Sequence, residues 1–162
     1  MQKSWTPKEP WLYPYSLEYG KDRVLGYFAL RKCDVQIADD GYPRFFLNDQ
    51  PYFQSGVLDQ GYWPEGLYTP PSDAAVEREL SEVKALGFNL LRKHAKIEPQ
   101  RWYYHCDRLG LIVWQDIVNG GSAYNLWFVI YLTNVLQPLL RRFPDGKAAY
   151  SLLGRAKPAG RE

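Results

Sequence analysis

Two passages of this chain repeat one local pattern: a helical stretch, a stop at Leu-Gly, then an apolar strand. Lys84-Ala85-Leu86-Gly87-Phe88 and Asp107-Arg108-Leu109-Gly110-Leu111 lie 23 residues apart. The strands that follow, Phe88-Asn89-Leu90-Leu91-Arg92 and Leu111-Ile112-Val113-Trp114-Gln115-Asp116, are almost continuously apolar, as strands are when both of their faces are covered. Repeated helix–strand units of this kind call for a parallel sheet with helices packed against it. Each helix carries its own start signal. Ser72 caps the first, Asp73 stands in its first turn, and Val76, Leu80 and Val83 share one face. Glu98-Pro99 opens the second, with Pro at the first helical position.

The first third of the chain has a different texture. Leu12 to Tyr19 alternates, Gly20-Lys21-Asp22 turns, and Val24 to Leu30 runs on as a second strand. Asp39-Asp40-Gly41 separates Val35-Gln36-Ile37 from Phe45-Phe46-Leu47, and Asn48-Asp49-Gln50-Pro51 makes a further turn. Four or five short strands with polar turns predict part of a β-sandwich. The stretch LWFVIYLTNVLQPLL at 126–140 is shorter than the ~20 residues a membrane span needs and contains Asn134, Gln137 and Pro138. It reads as a buried helix.

Composition narrows the classes of function. With 46% hydrophobic and 23% charged residues the chain has the makings of a core. The net charge of +2 excludes a nucleic-acid-binding domain driven by overall basicity, and no membrane partner is expected. Charge is uneven: 1–122 hold 14 basic and 16 acidic residues, whereas 123–162 hold six and two. The tail GRAKPAGRE reads as an exposed, mobile end. Cys33 and Cys106 are too few for a disulfide framework, and the opening MQKSWTPKEPW has no apolar signal-peptide core. The aromatic share of 16%, with six Trp and thirteen Tyr, needs either a large core or flat surfaces that receive a ligand.

Candidate chemistry gathers at the carboxyl ends of the parallel strands, where enzymes of this architecture place their sites. Asp59 and Gln60 follow Ser55 to Leu58; Arg92 and His94 close the next strand beside Lys93 and Lys96; Gln115 and Asp116 close the third, with Asn119 beyond. Asp59, Arg92, His94 and Asp116 are therefore expected around one pocket. Equally, Arg92 pairs with Asp59 or Asp116 as a buried structural salt bridge. The loop Gln60-Gly61-Tyr62-Trp63-Pro64-Glu65-Gly66-Leu67-Tyr68 presents three aromatics among Gly and Pro. Its Trp63 either stacks on a sugar face or plugs the sheet as packing. No metal site and no cofactor are expected: His105, Cys106 and Asp107 point in different directions on a helix, there is no GxSxG, and Gly120-Gly121 is only a turn.

At these residues the chain resembles a known family. GVLDQGYWPEGLYTPPSD (56–73), ELSEVKALGFNLLRKHAKIEPQRWYYHCDRLGLIVWQD (79–116) and NGGSAYNLW (119–127) are similar to the first part of the catalytic barrel of glycoside hydrolase family 2, which includes β-galactosidases, β-glucuronidases and β-mannosidases. The opening WTPKEPWLYPYSLEYG and DRVLGYFALRK resemble the immunoglobulin-like sandwich that precedes that barrel. The resemblance implies an α/β chain: an incomplete (β/α)8 TIM barrel at 52–162 preceded by the C-terminal part of an immunoglobulin-like β-sandwich at 1–51.

The function implied is that of a retaining β-glycosidase, which uses two carboxylates ~5 Å apart. In the family both are glutamates, and the acid/base follows an Asn. No Asn-Glu pair occurs here, and after Glu98 the only Glu is Glu162, so neither catalytic glutamate is expected and the chain alone is expected to be inactive. Asp59, Trp63, Arg92, His94 and Asp116 are the implied substrate-binding residues. Arg92 matches an Arg at the end of the second barrel strand, and Asp116 an acid at the third. Members that read Arg-x-Ser-His differ by one residue from Arg92-Lys93-His94. The implied partners are a β-glycoside substrate and the missing remainder of the enzyme. The alternative is a non-catalytic carbohydrate-binding module built on Tyr62, Trp63 and Tyr68, or a complementing fragment. At ~30 residues per βα unit the chain reaches three barrel strands or a fourth, so an open sheet edge is expected, and with it poor solubility or partial disorder after Asn119.

Overall fold

The computed structural model describes residues 2–116. The expectations for Asn119, Gly120-Gly121, the 126–140 stretch and the C-terminal tail lie outside the described residues. The chain opens with a hairpin of β1 (Tyr13–Tyr19) and β2 (Asp22–Phe28), antiparallel in the register Tyr13↔Phe28 to Tyr19↔Asp22. Period-two alternation puts Tyr13, Tyr15, Leu17 and Tyr19 on one face. Tyr13 stacks on Phe28 at 5.1 Å. The exposed ring of Tyr15 lies over Gly26, where a Cβ would come within 2.4 Å of it and make the ring swing aside.

A second antiparallel sheet follows, in the order β3 (Cys33–Ile37), β4 (Pro43–Leu47), β5 (Gln50–Pro51). Both of its turns fall at the Asp-Asp-Gly and Asn-Asp sites read from the sequence. Asn48 and Asp49 take φ of 52° and 63°, the left-handed pair that closes a two-residue hairpin.

The rest is helix and parallel strand. β6 (Gly56–Asp59), β7 (Leu90–Lys93) and β8 (Ile112–Gln115) form one parallel sheet in that order, joined by α1 (Asp73–Ala85) and α2 (Gln100–Leu109). Ser72 caps α1 by accepting from the Ala75 amide at 3.1 Å, as its place before an apolar face requires. At α2 the sequence expectation shifts by one residue. Pro99 is the N-cap, with ψ of 148°, and the helix begins at Gln100. An extended Pro followed by helix serves the same purpose, because the missing N–H is one the helix end leaves unpaired anyway.

The two faces of the parallel sheet have different covers. Toward the helices, Leu91 and Val113 pack with Val76 and Leu80 of α1 and with Trp102 and Cys106 of α2. On the opposite face Leu90 and Ile112 pack with Trp5 and Leu47, so the β-rich segment closes the amino-terminal end of that face. Trp5 is fully buried, and its indole N–H donates to the Asp107 carbonyl at 2.7 Å. The Asp107 carboxylate in turn accepts from Tyr27 at 2.9 Å and Arg31 at 3.0 Å. Lys84 joins the same seam, donating to the carbonyls of Pro7 at 2.6 Å and Gly110 at 2.7 Å. Its burial there lowers the affinity of its amine for a proton.

The described residues thus form three small sheets and two helices. They do not themselves display the incomplete barrel implied by the resemblance, because three strands define a parallel layer and not a closed wall.

Candidate functional site

The carboxyl ends of β6, β7 and β8 bring the expected residues to one edge of the parallel sheet, but alternation divides them between its faces. The register aligns Asp59 with Lys93 and Gln115, and Leu58 with Arg92 and Trp114. Residues aligned across a sheet share a face. Asp59 therefore falls on the helix side and Arg92 on the open side.

On the open side Arg92 and Asp116 form a fork. Arg92 Nε donates to Asp116 Oδ1 at 3.1 Å and Nη2 to Oδ2 at 3.0 Å. The hydrogen-bonded carboxylate makes the guanidinium hold its proton still more tightly. This is the pairing partner that the structural reading allowed, but the bridge is not buried: the Arg92 side chain is 51% exposed and that of Asp116 20%. An exposed pair contributes ~1 kcal/mol or less to stability. It occupies two of the five N–H donors of the guanidinium, in a fixed plane and facing solvent.

On the helix side charges are buried. Lys93 is 1% exposed, with Nζ 2.5 Å from Asp59 Oδ2, 2.9 Å from Glu98 Oε1 and 4.4 Å from the centre of the Trp102 ring. Lys96 Nζ lies 2.8 Å from the same Glu98 oxygen and donates to the carbonyls of Gly61 at 2.9 Å and Tyr68 at 2.7 Å. Asp59 Oδ1 accepts from the Gly61 amide at 2.7 Å. Glu79 of α1 stands beside this group; burial, then the negative charge of Asp59, raises its carboxyl above the ordinary range. Asp59, Gln60, Tyr62 and Glu79 border a cavity of about 410 Å³ whose floor includes Val57 and Leu80.

The five expected residues therefore separate. Arg92 and Asp116 are brought together. Asp59 is the partner of Lys93 and lies on the other face from Arg92, which corrects the single pocket expected from strand ends alone. His94 is half-buried, and its backbone N–H donates to the Asp59 carbonyl at 2.9 Å before Ala95, at φ 50°, bends the chain away. Trp63 packs against the helix–sheet core and exchanges two backbone hydrogen bonds with Leu67, at 2.7 and 2.9 Å, as the packing reading had it. Its neighbours Tyr62 and Tyr68 are the exposed rings. His105 is a structural pin, donating from Nε2 to Asp73 at 2.8 Å while Arg108 donates to its Nδ1 at 3.2 Å.

Lys93, Lys96 and Glu98 organise this end of the sheet, yet sequence reasoning passed over them as neighbours of Arg92 and His94. The available signal was position: Lys93 follows Leu91 by two residues and so belongs to a core face. Among the described residues no group of three or more His, Cys, Asp or Glu side chains is placed to hold a metal ion, and no helix is long and apolar enough to cross a membrane.

A three-stranded parallel layer behind a β-rich segment, with polar side chains at its carboxyl edge, is an architecture found in glycoside hydrolases. The backbone superposes on β-glucuronidase 3 of Bacteroides uniformis with a TM-score of 0.73 and 19% identity, covering 90% of this chain and 19% of that one. It matches a GH2 β-galacturonidase from Eisenbergiella tayi bound to galacturonate with a TM-score of 0.74 and 17% identity, covering 91% of this chain and 26% of the other. In sequence it is 24% identical over 115 residues to the exo-β-D-glucosaminidase of Streptomyces avermitilis, which spans 65% of this chain and 12% of that protein. No family model matches the chain. The chain has the fold of the corresponding segment of these enzymes and spans between about an eighth and a quarter of their length. The likeness to glycoside hydrolase family 2 carried by its motifs is thus carried by its backbone as well.

Proposed function

We propose that this chain is a segment of a retaining β-glycosidase of family 2. In this reading residues 1–51 end an immunoglobulin-like sandwich and residues 52–162 begin a TIM barrel, with β6, β7 and β8 as its first three strands. The open face of the parallel sheet then looks into the barrel, where sites of this architecture lie. The observation that carries the reading is the Arg92–Asp116 fork at the carboxyl edge of that face, in a backbone that follows glycosidases over nine-tenths of its length.

The fork's role is to hold the sugar. Arg92 offers its remaining N–H donors to ring hydroxyls or a uronic carboxylate, and Asp116 keeps the guanidinium plane fixed so that little ordering is left for binding to impose. Hydrolysis with retention needs two carboxyl groups ~5 Å apart at the glycosidic bond. The chain's 162 residues contain no Asn-Glu pair to supply the acid/base. By itself the chain contributes substrate contacts without turnover.

The test is an assay of the 162-residue chain, and of the uninterrupted polypeptide that its gene encodes, against nitrophenyl β-glucuronide, β-galacturonide and β-glucosaminide. The chain alone is expected to match a blank. The longer polypeptide is expected to turn over one of the three, with Arg92→Ala lowering kcat/KM by about 100-fold. Turnover by the chain alone that survives Arg92→Ala overturns the assignment.

A further inference from the structure

The loop after β6 leaves two tyrosine rings outside the core, Tyr62 at 58% exposure and Tyr68 at 54%. They lie against each other. Their centres are 4.6 Å apart, their planes are inclined at 38°, and their hydroxyls are hydrogen-bonded at 2.5 Å. The oxygens are nearer to each other than the ring centres are, so the hydroxyl-bearing ends converge. On each ring the ortho carbons flank that end, and an oxidised phenol carries its unpaired electron density on those carbons as well as on oxygen. The hydrogen bond to Tyr62 raises the Tyr68 hydroxyl above the ordinary phenol range, so Tyr68 keeps its proton at neutral pH. The pair is inert until an oxidant removes an electron.

The backbone holds the two rings in place. Lys96 Nζ donates to the carbonyls of Gly61 and Tyr68 and is itself paired with Glu98 at 2.8 Å. Across the loop Trp63 and Leu67 exchange backbone hydrogen bonds, and the Thr69 amide donates to the Gly66 carbonyl at 2.9 Å. Trp63, between the tyrosines in sequence, is packed against the core. Reacting groups fixed in this way meet at an effective concentration of ~10⁵ M or more, far above anything a second chain in solution supplies. Another tyrosine pair among the described residues, Tyr27 and Tyr104, stands edge to face at 5.3 Å and 61°, with the Tyr27 hydroxyl turned to the Asp107 carboxylate.

From this geometry we propose that Tyr62 and Tyr68 are a site of oxidative modification, which a peroxide-driven one-electron oxidant joins into a dityrosine that closes the loop covalently. The site owes nothing to the glycosidase reading. Each phenol gives up one electron and its hydroxyl proton. The two phenoxyl radicals join ortho carbon to ortho carbon; the hydrogen on each joined carbon then leaves as a proton while the oxygen of the same ring takes one up. The product is lighter by two hydrogen atoms. The two electrons and two protons released reduce one hydrogen peroxide to two waters. An ortho–ortho bond keeps the ring centres at nearly their present separation and the hydroxyls side by side, an arrangement the clasped backbone already provides.

The experiment exposes a dilute solution of the 162-residue chain to hydrogen peroxide and a haem peroxidase. Dityrosine fluorescence is read first; the chain is then unfolded and cut after glutamate. Glu65 lies between the two tyrosines, so cleavage there parts them unless a bond joins them. The expected result is dityrosine fluorescence from a chain that stays monomeric, with the pieces on either side of Glu65 held in one species two hydrogens lighter. Tyr62→Phe and Tyr68→Phe each keep the ring, and each is expected to lower that species by about ten-fold or more. The double variant Leu67→Tyr/Tyr68→Phe puts a second tyrosine back into the loop, one position nearer Tyr62 in sequence, and is expected to stay as low. A yield from it equal to the parent's would show that nearness along the chain suffices, and overturns the site. Fluorescence that survives either single variant undiminished overturns it too. So does cross-linking that arises mainly between chains, through the more exposed Tyr19 and Tyr42.

Discussion

Lys93 and Arg92 are adjacent cations with opposite fates, and the cause is the pleat. Arg92 faces solvent with one carboxylate; Lys93 is sealed between the sheet and α2 with Asp59 and Glu98. Removing Lys93 leaves Asp59 with the Gly61 amide in place of a cation and Glu98 with Lys96 alone, in a poor solvent for charge. Lys93→Met is therefore expected to destabilise the chain by about 3–5 kcal/mol, read as a lower urea midpoint. Arg92→Ala should leave that midpoint nearly unchanged, because an exposed pair contributes ~1 kcal/mol or less. A Lys93→Met variant as stable as the parent would remove Lys93 from the structural account. The sequence named both residues but had no means of ranking them. Which charge is buried depends on register with strands 34 and 22 positions away along the chain, and register is not written locally.

At the scale of elements, α1 and α2 are fastened where α1 begins. Asp73, in its first turn, is hydrogen-bonded by Arg101 and His105 of α2, and these partners hold its carboxyl down to about 2 from an ordinary 3.8. A carboxyl depressed on folding stabilises above its unfolded value and loses that contribution as the pH falls through the folded one. The contribution is whole above about pH 4 and gone below about pH 2. Asp73→Asn is accordingly expected to flatten the acid limb of a stability–pH curve between those values, compared with the parent by urea titration. An unchanged limb would assign the acid sensitivity to other carboxylates. The helices themselves were legible: Ser72 as cap, Val76 and Leu80 on the buried face and Leu-Gly stops are local signals, and the structure follows each of them. The pinning was not legible, since His105 on sequence grounds was merely a histidine without a metal. The same asymmetry holds at the site. Arg92 and Asp116 emerged from strand ends, whereas the clasp of Lys96 on Gly61 and Tyr68 joins residues 35 and 28 positions apart and left no local trace.

Across the whole molecule the seam between the β-rich segment and the parallel layer is made by backbone as much as by side chains. Gly110 ends α2 at φ 75°, and a Cβ there would lie 2.4 Å from the Pro7 carbonyl that Lys84 also holds. Gly110→Ala meets two penalties. The left-handed conformation alone costs ~1–2 kcal/mol, and the carbonyl must move as well. The variant is expected to melt several degrees lower and to shift the Trp5 indole N–H resonance before helical ellipticity is lost, because the seam opens before the helix does. Both signals changing together would show that Gly110 serves the helix alone. The exposed side of the first hairpin, with Leu17, Tyr19 and Val24, belongs to the same scale: it is an apolar face with no cover among the described residues, an invitation to association.

The bond from the Trp5 indole to the Asp107 carbonyl spans 102 positions. During synthesis Trp5 is therefore made about a hundred residues before the carbonyl that completes its seat. At roughly 5–20 residues per second, the interval is on the order of 5–20 seconds. Through that time the ring can meet Arg31 and Leu47 but neither Ile112 nor the Asp107 carbonyl, so one side of it stays open and custody of that side falls to whatever stands at the tunnel mouth.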